Sequence, residues 1–578
     1  MPALNSSDAN RASPHARRQA LEKSMPNWAP CTIAQGLDRA AMRYADRPLV
    51  VTDERVWTFA DIQNASRDLA LRLIRHGVRP REHVALYLAN HVEFVIARFA
   101  IARLGAVAVP INFLLRQHEL AYVLEQSECV ALIAMDEFRG RDYLADLDSM
   151  LPGWESKAGG DRLPKLRTVF ILPAGARLRA GAQSLITALT PADHACGHQL
   201  AQFEASSDPH FRSDVIYTSG TTGRPKGVVL THDMVMRTAY ASAYTRAIED
   251  GRRILFALPM YHVFGYVECL LACLFNGGAI VPRLVFDADD ILTAAENHRV
   301  GEIVCVPLMT LKMIEVARAR GFACPSLVAF FNSGGATPPS IWQEIRDVLG
   351  AKELLTGYGM TETTASTFCT LPEEDDSYLS TSNGRLKYAG VAGRDQRDGL
   401  LAIYRVIDPE TGQELPNGAV GELMAKGYSV TAGYYKKPDE NATAFTPDGW
   451  LHTGDLGTVS ADGYVVLIGR IKESYRCGGE MVMPQEVEEL LGQHPAVSNA
   501  YVVGVPDSKM GEVGCAFVVP RGAPPAAEDL IALCADRLAR FKVPKHIIFV
   551  QMAEVPHTVT GRAQRVHLGA VARERLGL

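Results

Sequence analysis

Along the chain, short runs of consecutive apolar residues alternate with segments whose apolar positions recur every three to four residues. Ala34 to Tyr44 has the helical spacing, and Trp57-Thr-Phe-Ala-Asp-Ile62 opens a second helix that reaches about Arg75. The apolar run Val84 to Leu88 follows, then a helix from Val92 to Leu104, the run Ala106 to Pro110, a helix over Glu119 to Glu125 and the run Val130 to Ala134. Apolar strands alternating with helical periods mean βαβ units and a largely parallel sheet. The pattern resumes at Ile254 to Leu258 and at Glu302 to Val306. Residues 137–212 are weakly patterned and predict longer surface loops.

The pattern changes after Gly469. The strand Tyr464 to Ile468 ends at Gly469-Arg470, and Pro484 starts a helix with Val487, Leu490 and Leu491 on one face, proline being suited to the first helical position. Val502-Val503, Phe517 to Val519 and Ile547 to Val550 read as strands, with a helix from about Glu528 to Arg540. The expected fold class is therefore α/β. A flexible N-terminal tail covers 1–28, a large N-terminal domain of βαβ subdomains with mixed or parallel sheets covers 29–469, and a small α+β C-terminal domain covers 470–578.

Composition narrows the function classes. Of 578 residues, 47% are hydrophobic and 21% charged, the balance of a globular enzyme. The net charge of −6 gives no basic field for a nucleic acid backbone. The 11 cysteines are odd in number and scattered, which argues against a disulfide framework. No apolar core follows the basic residues of the first 28 positions, so they do not form a secretory signal. The most apolar stretch, Gly265 to Val281, is broken by Glu268, Asn276 and glycines and is too short for a membrane span. A cytoplasmic location is expected.

The strongest local signal is Tyr217-Thr-Ser-Gly-Thr-Thr-Gly-Arg-Pro-Lys-Gly-Val228. Glycines let backbone N–H groups turn inward, hydroxyls add donors and a lysine adds a point charge, which are the needs of a triphosphate. A P-loop is excluded because Pro225 stands where that motif requires glycine before lysine.

Together with further motifs in order, this stretch resembles the adenylate-forming superfamily of acyl-CoA synthetases, peptide-synthetase adenylation domains and luciferases, over about residues 30–572. The resemblance makes Thr218, Ser219, Gly220, Thr221, Thr222 and Lys226 the phosphate loop. It makes His262, in Pro259-Met-Tyr-His-Val-Phe-Gly265, a gate near the acyl group, with Tyr261, Val263, Leu308, Met309 and Phe331 as further pocket candidates. Gly334, Gly335 and Ala336 would lie beside the acyl group and adenine. Gly357, Tyr358, Gly359 and Thr361 would stack adenine, with Glu362 and Thr222 at Mg2+. Asp455 would accept the ribose hydroxyls. Arg470 and Lys472 would form the hinge to a mobile C-terminal domain, and Gly478 and Gly479 the floor of a pantetheine tunnel. ATP or acyl-AMP, Mg2+ and coenzyme A are the implied cofactors. Arg476, Lys436, Lys437 and Lys542 are candidates for the CoA phosphates, set against a reading as solvated surface charges.

Besides smaller departures at 393–399, Met481 and His557, one position departs from the family in a way that bears on its chemistry. Its terminal Pro-x-Thr-x-x-Gly-Lys motif is Pro556-His-Thr-Val-Thr-Gly561-Arg562 in this chain. Arginine keeps the charge but replaces a compact ammonium by a wide planar fork. Loss of one placed contact to a transition state costs on the order of 10²–10³ in rate. The expectation is an acyl-CoA ligase impaired in ATP-dependent adenylation, which moves acyl from acyl-AMP to CoA and takes that acyl-AMP from a separate adenylating enzyme. Three alternatives stand beside it: a complete carboxylate–CoA ligase, an adenylation enzyme loading a carrier protein, and a non-catalytic nucleotide-binding pseudoenzyme.

Overall fold

The computed structural model describes residues 11–175, 178–188, 196–218, 225–334, 337, 339–393, 399–557 and 563–578. Its first large sheet has seven strands, ordered Lys226–Thr231, Arg212–Thr218, Val107–Pro110, His83–Tyr87, Ala131–Met135, Thr168–Leu172 and Gln183–Ser184. All neighbours in it are parallel except the outermost pair, Lys226–Thr231 with Arg212–Thr218. The second sheet repeats that plan, with Pro48–Val51 and Val56–Thr58 forming its antiparallel edge. Strands such as His83–Tyr87 and Ala131–Met135 are buried at every position, which is why they read as unbroken apolar runs.

The predicted helices form where expected because their ends carry their own stops. Thr32 with Gln35 and Thr58 with Asp61 make reciprocal capping pairs at the starts of Ile33–Tyr44 and Phe59–Arg75. Pro484 opens Pro484–Gly492, as its place in the sequence implies. Residues 137–212 hold more regular structure than predicted, including Tyr143–Met150, the buried strand Thr168–Leu172 and Gly197–Ala205.

The N-terminal tail expectation is corrected over its described part. Pro14–Ser24 is a helix, capped where the Ala16 N–H donates to Ser13 Oγ at 3.2 Å. It docks through charge: Arg17 is buried and ion-pairs with Glu249 at 2.9 Å and with Glu353. Arg18 donates to the carbonyls of Tyr244 and Thr245. The helix has almost no apolar stripe, so hydrophobic periodicity could not reveal it.

Along the chain, two antiparallel sheets come after the parallel sheets and before the C-terminal unit. One joins Gly357–Met360, Ala365–Cys369 and Arg385–Leu386, and the other joins Ala402–Ile407, Gly421–Gly427, Leu451–Val459 and Val465–Arg470. The predicted 469/470 boundary falls inside the last strand. Beyond it, the pairing of Val497–Asp507 with Gly511–Pro520 organises a five-stranded sheet, and residues from Tyr475 to Ala572 share a hydrophobic core of their own. All 11 cysteines are free. Among the described residues no helix is long and apolar enough to cross a membrane.

Candidate active site

The hairpin expected to carry the phosphate loop is built by Arg212–Thr218 (β1) and Lys226–Thr231 (β2), whose pairing ends at Thr218 opposite Lys226. That register puts the lysine at the mouth of the loop. Gly227 follows because a Cβ there would stand 2.5 Å from Val215 Cγ1 and 3.1 Å from the Tyr217 ring. Ser219, Gly220, Thr221 and Thr222 lie outside the described residues, as do Gly335, Ala336 and Arg562.

Gly357–Met360 (β3) and Ala365–Cys369 (β4) form a second hairpin. Gly359 is required there, since a Cβ would lie 1.9 Å from the Ala365 carbonyl oxygen. The connecting turn holds Thr361 and Glu362, then Thr364 at φ 66° and Ala365 at φ 146°, backbone that side-chain-bearing residues rarely adopt. Surrounding bonds hold it in place: Thr364 Oγ1 donates to the Ser429 carbonyl at 2.6 Å, and the Met360 N–H donates to Thr363 Oγ1 at 3.1 Å. The Ser333 hydroxyl donates to the Gly357 carbonyl at 2.5 Å, tying the loop that begins at Gly334 to this hairpin.

Asp455 on Leu451–Val459 (β5) stands opposite Arg470 on Val465–Arg470 (β6). One of its carboxylate oxygens accepts from the Tyr358 hydroxyl at 2.7 Å and the other meets Arg470 Nε at 2.5 Å. A carboxylate still has lone pairs to offer beyond two such bonds. Burial, and then the adjacent Asp455 charge, push the Tyr358 hydroxyl far above its ordinary pKa, so it stays a donor. Three residues predicted from separate motifs, Tyr358, Asp455 and Arg470, are thus one hydrogen-bonded group.

Glu362 is buried, and burial raises its pKa above the usual carboxylate value while a hydrogen bond from Tyr434 opposes that rise. The Tyr434 hydroxyl donates to Glu362 Oε1 at 3.0 Å, and Lys226 Nζ sits 5.0 Å from the centre of the Tyr434 ring. Tyr434 was not among the predicted site residues. It lies in Thr431-Ala-Gly-Tyr-Tyr435, whose glycine and paired aromatics were the only available signal. Among the described residues no cluster of three or more His, Cys, Asp or Glu could cage a metal. One buried carboxylate fits Mg2+ delivered with phosphate oxygens, because that ion is commonly held by one or two carboxylates plus substrate.

His262 precedes the π-helical turn Phe264–Leu271, a form of helix frequent at functional sites. Its Nδ1 accepts from the Phe264 N–H at 3.4 Å, and burial lowers its pKa to about 4, so the ring is neutral. Phe264 packs edge-on to Phe331 with ring centres 5.3 Å apart. Tyr261 and Val263 are buried, whereas Leu308 is 41% exposed.

Other predicted residues have different surroundings. Gly478 (φ 62°) and Gly479 (φ 90°) form the two-residue turn between Tyr475–Cys477 and Glu480–Val482, where both central residues take positive φ, a geometry glycine adopts without strain. Their hydrogen bonds run to Met510 and Arg476 and not to the group around Asp455. The four candidate CoA cations are paired: Lys436 with Glu128, Lys437 with Glu440, Arg476 with Glu410 and Lys542 with Glu486. Lys472 lies in the single turn Ile471–Glu473, beside Glu473, which ion-pairs with Arg565 at 2.7 Å.

The AMP-binding enzyme family model matches residues 37–435, and the AMP-binding enzyme C-terminal domain model matches 486–562. The putative acyl-CoA synthetase YngI of Bacillus subtilis is 34% identical over 547 residues, covering 93% of this chain and 96% of the relative. A 3-[(3aS,4S,7aS)-7a-methyl-1,5-dioxo-octahydro-1H-inden-4-yl]propanoyl:CoA ligase of Rhodococcus jostii is 31% identical over 537 residues, covering 93% and 98%. Among solved structures, ATP-bound MatB from Rhodopseudomonas palustris aligns with a TM-score of 0.78 at 26% identity, covering 93% of this chain and 98% of that one. The anthranilate CoA ligase AuaEII aligns with a TM-score of 0.81 at 24% identity, covering 96% and 99%, a likeness of fold.

Proposed function

The chain belongs to the AMP-binding enzyme family, and from that premise we propose that it forms an acyl-CoA thioester from a carboxylic acid by way of an acyl-adenylate. The observation that carries this reading is the joining of Tyr358, Asp455 and Arg470 into one buried polar group, with Lys226 and Glu362 set around a single tyrosine ring. Relatives named as acyl-CoA synthetases and CoA ligases support it.

In this reading a carboxylate oxygen attacks the α-phosphorus of ATP, the bond to the bridging oxygen breaks and pyrophosphate leaves. The thiol sulfur of CoA then attacks the acyl carbon, AMP leaves and the thiol proton passes to solvent. Both attacks bring negative groups together, so fixed positive charge and donors must be in place beforehand. Lys226 and the loop it closes neutralise phosphate oxygens. The spare lone pairs of Asp455 accept the ribose hydroxyls, and the Tyr358 ring offers a face to adenine. Glu362, with Thr222, would hold Mg2+, which when bound neutralises phosphate charge. Neutral His262 and Phe264 border the acyl end. Gly478 and Gly479 keep their proposed place at the pantetheine arm, now as the tip of a hairpin. The division at 469/470 is proposed as the hinge, with Lys472 in it.

The finer part of the proposal concerns Arg562. Arginine where the family has lysine weakens adenylation and leaves thioesterification intact, so that a separate adenylating enzyme supplies acyl-AMP. Carboxylate-dependent ATP–pyrophosphate exchange should be low, while synthetic acyl-AMP with CoA should give acyl-CoA readily. Arg562→Lys should raise exchange by roughly 10²-fold or more. Robust exchange in the unaltered protein would instead identify a complete ligase. Failure of both half-reactions across a broad acid panel would remove the enzyme reading altogether.

A further inference from the structure

Tyr434 is held with unusual completeness for a residue on a connecting segment. Its N–H donates to Asn441 Oδ1 at 2.7 Å, and Asn441 Nδ2 donates back to its carbonyl at 3.0 Å. On either side, the Val229 N–H donates to the Gly433 carbonyl and the Tyr435 N–H to the Gly227 carbonyl, so 433–435 runs beside β2 like an added strand. The Thr431 N–H donates to the Glu362 carbonyl at 2.8 Å, tying the same segment to the β3–β4 turn. The tyrosine therefore bridges the two hairpins that carry the site.

Its ring and hydroxyl serve opposite charges. Lys226 Nζ lies 5.0 Å from the ring centre, and Glu362 Oε1 accepts the hydroxyl proton at 3.0 Å. Among the described residues, no ion pair joins Lys226 to Glu362; Lys226 acts on Glu440 and Arg470 acts on Glu362 only through longer-range charge. Opposite charges that close to about 4 Å attract by roughly 4 kcal/mol at an effective dielectric of about 20, so contact between them would be favoured if the space were open. A direct pair would cancel the charges that a magnesium triphosphate must meet, and nucleotide binding would have to break it. A phenol can prevent this because its face attracts a cation while its edge donates a hydrogen bond.

We infer that Tyr434 is a positioning residue that keeps Lys226 and Glu362 apart, the ammonium on the ring face and the carboxylate on the hydroxyl, each presented to the nucleotide. The inference rests on the adenylate reading above. Phe at this position keeps the face and loses the hydroxyl, and Leu loses both, so the two charges can be released one at a time.

The test is calorimetric binding of AMP and of α,β-methylene-ATP to the full-length protein across a range of Mg2+ concentrations, with melting curves for each variant. Tyr434→Phe should melt like the unaltered protein, bind AMP as it does and need about 5- to 20-fold more Mg2+ for half-maximal binding of the analogue. Tyr434→Leu should in addition weaken the analogue about tenfold or more without Mg2+, because the freed lysine pairs with Glu362. Should Tyr434→Leu not fold, the Mg2+ shift in Tyr434→Phe decides alone. Variants that titrate like the unaltered protein would overturn the inference and spare the adenylate reading. Parallel losses of AMP and analogue affinity with lower melting would make Tyr434 a structural residue and also overturn it. If the unaltered protein bound neither nucleotide, the adenylate reading would fall and this inference with it.

Discussion

Asp455 shows how one side chain can unite three motifs. It is buried between a phenol and a guanidinium, and each uses a different oxygen. Asp455→Asn keeps the shape but withdraws the charge that Arg470 and the ribose would share. A hydrogen bond to a charged group contributes about 1.5–3 kcal/mol, so AMP affinity should fall about 10- to 100-fold by calorimetry. Unchanged affinity would remove Asp455 from the nucleotide site. His232 makes a second prediction at this scale. The Ile33 N–H donates to its Nδ1 at 3.3 Å, which requires an unprotonated ring, and burial lowers its pKa from 6.5 to about 3. Between those values the unfolded chain binds the proton and the folded chain does not. Stability is therefore full above pH 6.5 and falls as the pH drops below it, by up to about 1.4 kcal/mol per pH unit from this group. His232→Gln, which can still accept from Ile33, should flatten the pH dependence of the urea midpoint between pH 6.5 and 4. An unaltered slope would assign the acid sensitivity elsewhere.

At the scale of elements, the site depends on hairpins that approach too closely for ordinary residues. Gly359→Ala drives a methyl group into the Ala365 carbonyl oxygen, and overpacking of this kind costs about 1–3 kcal/mol. The strain falls on the turn carrying Glu362, so loss of AMP binding should exceed the loss of stability. A variant with normal AMP binding would show that the β3–β4 hairpin does not set the site. The N-terminal helix is held differently. Arg17→Met leaves Glu249 and Glu353 with one fewer cation in a largely buried cluster, and a cost near the lower end of roughly 3–5 kcal/mol is expected, since Glu249 is 25% exposed. Melting within a degree of the unaltered protein would mean that the helix contributes nothing to the fold. Strand and helix positions were largely legible because burial leaves a period in the sequence. This helix was not, because its partners are single charges more than 200 positions away.

Across the whole molecule, the small C-terminal unit has its own core, and Arg476 with Glu410 forms an ion pair at 2.7 Å that leaves both side chains more than half exposed. An exposed pair of that kind contributes about 0–1 kcal/mol, too little to weld two cores together. Scanning calorimetry should resolve two transitions, and AMP should raise mainly the one belonging to the larger unit. A single sharp transition shifted as a whole would mean that the units unfold together.

What the sequence determined alone was the alternation of apolar strands and helices that makes a largely parallel sheet, and the family to which the chain belongs. Such features are written in contiguous residues, where apolar periodicity, caps and glycine clusters act over a few positions. Tertiary structure decided the rest. It joined Tyr358, Asp455 and Arg470, made Gly478-Gly479 a hairpin turn, docked the N-terminal helix and brought Tyr434 between Lys226 and Glu362. Each of these is a polar contact between distant segments. A hydrogen bond or ion pair needs only one residue on each side, so it leaves no repeating pattern along the chain and becomes visible only when the backbone has brought the partners together.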